Sequence, residues 1–117
     1  MKKGQGNMEN NDINDIHALD KLLRNMFHTI RHEPRQDTRP AQSTMITMLR
    51  NVEIALSQPD DIGDFFAVVK SQYFGMFPPK CGLSEFYISR EDPAEMRRLN
   101  AEYEKTKAQI SEILNRH

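Results

Sequence analysis

The chain has 117 residues, enough for one domain with a single core and too few for a comfortable two-domain reading. Its hydrophobic fraction of 38% and charged fraction of 28% suit a folded domain with a well-solvated surface rather than a disordered chain. Lys and Arg number 16 against 17 Asp and Glu, and the net charge of -1 excludes the broad positive field of a general nucleic-acid binder.

No apolar run approaches the roughly 20 residues needed to cross a bilayer, so no membrane association is expected. The start, MKKGQGNMENND, has two lysines and no apolar stretch behind them, which places the chain in the cytoplasm as an expectation. A single cysteine, Cys81, cannot form an internal disulfide or a thiolate zinc cage, in keeping with a reducing compartment.

In chain order, residues 1–11 are polar and rich in asparagine, and read as a flexible tail ahead of one helical domain over 12–117. From Asp12, the residues Ile16, Leu19, Leu23, Met26 and Ile30 recur at spacings of three and four, with Leu22 and Phe27 widening the stripe. This predicts a helix from about Asp12, capped by Asn11 or Asp12, to His32, where Pro34 ends it. Residues 33–40 contain two prolines and read as an exposed connector. Met45, Met48, Leu49, Val52, Ala55 and Leu56 predict a second helix, interrupted at Pro59.

Asp60 and Asp61 suit the first turn of a third helix whose expected core is Ile62, Phe65, Phe66, Val68 and Val69, with Gly63 weakening it. The Pro-Pro turn in residues 75–82 stops regular structure. Residues 83–89 (LSEFYIS) are aromatic and β-branched, yet an isolated strand would leave its backbone groups unpaired. They are expected as an extended segment packed across the helices. Asp92 as cap and Pro93 at the first helical position open the last helix. Its stripe of Met96, Leu99, Tyr103, Thr106, Ile110 and Ile113 follows a heptad, with Thr106 its weak point. A core-facing stripe is the ordinary reading; a homodimer seam through 96–113 is the alternative. The fold expected is mainly α, a compact four-helix domain with one short extended segment at 83–89.

Few residues suggest chemistry. His28 and His32 have two-ligand metal spacing on one helix face, but no third ligand or HExxH order accompanies them, so no metal or cofactor is expected. Cys81 beside Lys80 lacks a paired base. The acidic pairs Asp60–Asp61 and Glu91–Asp92 fall at helix starts, where capping explains them. Phosphate-loop, dinucleotide and nucleophile-elbow motifs are absent, which argues against an enzyme. Two surfaces stand out instead. Arg31, His32, Arg35 and Arg39 gather cations suited to a phosphate or an acidic partner patch. Tyr73, Phe74, Met76 and Phe77, with Phe86 and Tyr87 beyond the prolines, either plug the end of the core or anchor a partner.

From about Ser43 onward, Tyr73-Phe74-Gly75, then Gly82-Leu83-Ser84-Glu85, then Leu99-Asn100 follow one another. This order resembles an uncharacterised family of small bacterial domains with a Phe-Gly step, a Gly-Ser-Leu-Asn-Asp-like segment and a closing helix. Residues 78–81 are an insertion relative to that pattern, and Glu85 stands at its acidic end, where capping of local amides is the preferred role. The resemblance implies no activity. The functional expectation is a non-catalytic small interaction protein, such as a bacterial toxin-immunity protein or a phage-borne inhibitor. The alternative is a nucleotide- or anion-binding sponge or sensor built on residues 31–39.

Overall fold

Burial of one apolar stripe organises the longest element. In the computed structural model of the chain, Ile16, Leu19, Leu23, Met26 and Ile30 are sealed from solvent along α1 (Gln5–Arg31). Each contributes about 1.5–3 kcal/mol of apolar transfer energy. The structure describes residues 5–33, 36–59, 64–78 and 82–117, with side chains described from residue 12 onward. The expected positions of Pro34, Arg35, Asp60, Asp61, Ile62, Gly63, Pro79, Lys80 and Cys81 lie outside the described residues. The first helix starts at Gln5, seven residues before the expected cap, because extending a nucleated helix adds one backbone hydrogen bond per residue.

Three more helices follow. α2 (Arg39–Ser57) carries Pro40 in its first turn and buries Ala41, Met45, Met48, Val52 and Ala55. α3 (Phe65–Phe74) buries Phe65, Phe66, Val69 and Tyr73. Val68, expected in this core, is instead 45% exposed, since a ten-residue helix packed on one side turns that position outward. α4 (Pro93–Asn115) begins as expected, with the Asp92 carboxylate accepting from the Ala94 N–H, and buries Tyr103, Thr106, Ile110, Ile113 and Leu114. The heptad stripe is therefore occupied within the chain from Tyr103 to Ile113, with Leu99 half-buried against the core. Thr106 fits it by donating its hydroxyl to the Glu102 carbonyl.

The helices run up and down. Arg116 and His117 meet Asp15, so α4 lies antiparallel to α1, and Asn51 of α2 donates to Gln72 in the last turn of α3. At the far end His117 stacks flat on Phe66, 3.5 Å between ring centres, and bonds the Asp15 carboxylate. Burial acts to raise the Asp15 pKa, and the hydrogen bonds from His117 and Arg116 together hold it below the usual aspartate range. The other end holds residues 36–38, the end of α3, and residues 75–78 and 82–92.

α3 spans only about 15 Å, whereas α1 and α4 extend over about 40 and 35 Å. A 3₁₀ turn (Gly82–Glu85) and residues 86–90 fill the remaining length. The first half of the expected extended segment is thus a tight turn, and no strand occurs among the described residues. Gly82 has φ 59°, and a Cβ there would sit 2.8 Å from the Met76 carbonyl oxygen, so this turn requires glycine.

The extended half obtains its backbone partners from side chains. Gln36 grips both peptide groups of Tyr87, Asn100 grips both of Ile88 at 2.8 Å, and the Glu33 carboxylate accepts from the Ser89 N–H at 3.1 Å. Asn100→Ala is expected to strand two buried groups of Ile88 and lower stability by roughly 3 kcal/mol in urea denaturation. An unchanged midpoint would show that water replaces the amide at no cost.

Candidate functional site

The two surfaces singled out in the sequence converge at the connector end. Glu33 is their meeting point, only 4% exposed at the end of α1. Its carboxylate accepts from Arg90 Nη1 at 3.0 and 3.2 Å as well as from Ser89. Thr38 is buried beside it, donating to the Ile30 carbonyl and accepting from Gln42. These bonds tie the connector to the segment after the prolines.

The basic residues are distributed differently from a single anion grip. Arg31 lies 5.6 Å over the Phe27 ring, and His32 uses Nδ1 to bond the His28 carbonyl with the two imidazoles 4.2 Å apart. Arg39 is held by Asp37, Nε to Oδ1 at 2.9 Å and Nη2 to Oδ2 at 3.2 Å, which lowers the Asp37 pKa. Arg35 lies outside the described residues. Arg31 and Arg39 share a shallow hollow of about 370 Å³ with Glu33, Gln36 and Asp37, so its wall carries both signs of charge. Among the described residues, no three His, Cys, Asp or Glu side chains are placed to hold a metal ion.

The aromatic cluster divides. Tyr73, Met76 and Phe86 are buried in the core, and Phe77 is half-buried against Tyr73 with the Lys107 ammonium 5.1 Å from its ring. Phe74 and Tyr87 remain outside, 41% and 55% exposed. Most of the cluster plugs the bundle, and Tyr87 projects from it. Glu85 is exposed and makes no hydrogen bond with the described residues, so it does not cap local amides as expected. The Asp92 side chain and the Asn100 amide carry the nearby backbone bonds instead.

A second hollow, about 230 Å³, opens between α1 and α4 beside His28, His32 and Arg90. Tyr103 contributes to its wall, and its hydroxyl is buried without a partner among the described residues.

No family model matches the chain, and no curated protein or solved structure matches it. The resemblance to small bacterial domains therefore rests on its own residues. One of these, Asn100, has a clear structural task in holding Ile88.

Glu33, Gln36 and Arg90 were not singled out from the sequence as site residues. Their partners lie more than fifty positions away, beyond any local periodicity. The one available signal is a glutamate and a glutamine flanking a proline at a helix end, a pattern shared with ordinary loops.

Burial pushes the Tyr73 phenol up to about 12 and raises Tyr103 further in the same direction. The folded state keeps these protons where the unfolded chain, with tyrosine near 10, releases them. Their contribution to stability is thus complete below about pH 10 and lost as pH rises through the folded values. Alkaline titration is expected to show two of the three tyrosines ionising together with loss of ellipticity. Tyr103→Phe, which removes an unpartnered hydroxyl, should leave the neutral-pH Tm equal or higher and blunt the alkaline transition. A lower Tm would reveal a missing partner for that hydroxyl.

Proposed function

We propose that this chain is a non-catalytic interaction protein, of the kind that serves as a bacterial toxin-immunity protein or phage-borne inhibitor, and that it meets a protein partner through Tyr87. The observation that carries this reading is a large exposed aromatic on an immobilised backbone. Gln36 holds both peptide groups of Tyr87, while its neighbours Phe86 and Ile88 are buried on either side. Such an anchor loses little backbone freedom on binding, and Tyr is among the residues that dominate interface energies. The surrounding ions suit a fixed surface: Glu33 is engaged with Arg90, and Asp37 with Arg39.

Tyr87→Ala is expected to keep stability within about 0.5 kcal/mol, because the ring is mostly outside the core. It should weaken partner affinity by about 30-fold or more, as loss of an interface anchor does. The two proteins used as baits in lysate of the native host, followed by titration of the recovered protein, provide the measurement. Equal affinity for both baits would overturn the reading.

The anion sponge or sensor has the 370 Å³ connector hollow in its favour. The Arg39–Asp37 pair and the Glu33 carboxylate weigh against it. A ligand at 100 times its Kd adds about 2.7 kcal/mol of stability. Phosphate and a panel of nucleotides are therefore expected to leave Tm unchanged. A shift that disappears in Arg39→Ala would favour the sponge instead.

A further inference from the structure

Spacing alone leaves His28 and His32 as two imidazoles without a third ligand; the structure adds the state of one of the rings. The two side chains lie one turn apart at the end of α1, both exposed, with ring centres 4.2 Å apart and planes tilted by 44°. His32 Nδ1 is 2.7 Å from the His28 carbonyl oxygen. A carbonyl only accepts, so Nδ1 carries the proton, and in the neutral ring the lone pair resides on Nε2. Metal-bound histidines share this arrangement, in which one nitrogen donates to a carbonyl or carboxylate and thereby fixes the tautomer and aim of the other. Neither nitrogen of His28, nor Nε2 of His32, makes a hydrogen bond among the described residues.

The surroundings suit a cation. Both rings border the hollow of about 230 Å³ between α1 and α4, and Glu102 borders it from the facing helix. The Glu102 carboxylate is exposed, and among the described residues it accepts only from Arg98, at 3.4 Å. The guanidiniums at this end are engaged elsewhere, Arg90 with Glu33 and Arg31 over the Phe27 ring. The carboxyl end of α1 adds the negative end of its dipole.

Imidazole nitrogen favours late first-row ions, whereas calcium and magnesium take oxygen ligands. Zinc-bound nitrogens lie about 2.0–2.1 Å from the ion, so two on one ion are roughly 3 Å apart. Exposed rings with centres 4.2 Å apart can present that span by rotation of their side chains, without disturbing the core.

We propose that His28 and His32 together bind a divalent late first-row transition ion, with Zn²⁺ as its type, through His32 Nε2 and one nitrogen of His28, and with the Glu102 carboxylate as countercharge. Two protein ligands leave the remaining positions to water, so the site loads and releases its ion rather than building the fold around it. It is independent of Tyr87 and of the function proposed above.

Calorimetric titration of the full chain, free of any histidine tag, with ZnCl₂ tests this. The wild type is expected to take up a single ion saturably. His28→Gln and His32→Gln should each weaken binding by about tenfold or more, since even an outer partner of a metal ligand is worth that much, and should keep the wild-type circular dichroism spectrum. His17→Gln and His117→Gln should bind as the wild type does, and excess Mg²⁺ should not compete. Cu²⁺ in a Cys81→Ser background gives a second readout: its electron paramagnetic resonance should show nitrogen couplings from two imidazoles, falling to one in either histidine variant. No saturable uptake of Zn²⁺, binding indifferent to both histidine substitutions, or a copper spectrum with a single imidazole before substitution overturns the proposal.

Discussion

Every buried peptide group needs a partner, and residues 87–89 find theirs on the side chains of Gln36, Asn100 and Glu33. A glutamine and an asparagine each offer this segment a donor and an acceptor, the pair that a neighbouring strand would offer, and Asn100 gives its second N–H to the Met96 carbonyl. Three side chains thus replace a β-sheet. Because of them α3 can end after ten residues, and the exposed ends of α1 and α4 are still covered.

The Glu33–Arg90 pair belongs to the same arrangement. An ion pair taken out of water gains little net stability, since the cost of desolvation offsets the attraction. Removing one partner is costly, because a buried charge is then left alone. The pair accordingly specifies position more than it adds stability: it sets where the segment after the prolines lies against the end of α1. Thr38 and Gln42 fix the other side of the connector.

That framework decides which aromatic residues are available. Phe86 and Ile88 point inward and Tyr87 outward because the chain is extended between them, where successive side chains alternate. Tyr73 and Met76 complete the core beneath. The outside of the bundle is likewise uneven, with charged faces on α1 and α4 and a sparsely charged one along α2.

The amino-acid sequence by itself determined the helices and their inward faces. Three- and four-residue spacing identifies Ile16 to Ile30, Met45 to Ala55 and Tyr103 to Ile113 as buried stripes, because helical periodicity is a local property and burial follows from it. Asp92 and Pro93 mark the start of α4 for the same local reason. The sequence also marked the connector and the aromatic loop as distinctive, without distinguishing plug from anchor. Only the tertiary structure separated Tyr87 from Tyr73 and Phe86, turned Val68 outward, and gave Glu33, Gln36 and Asn100 their tasks. Those outcomes depend on hydrogen bonds and packing between residues distant in the chain, and on a third helix too short to span its neighbours, which no local pattern encodes.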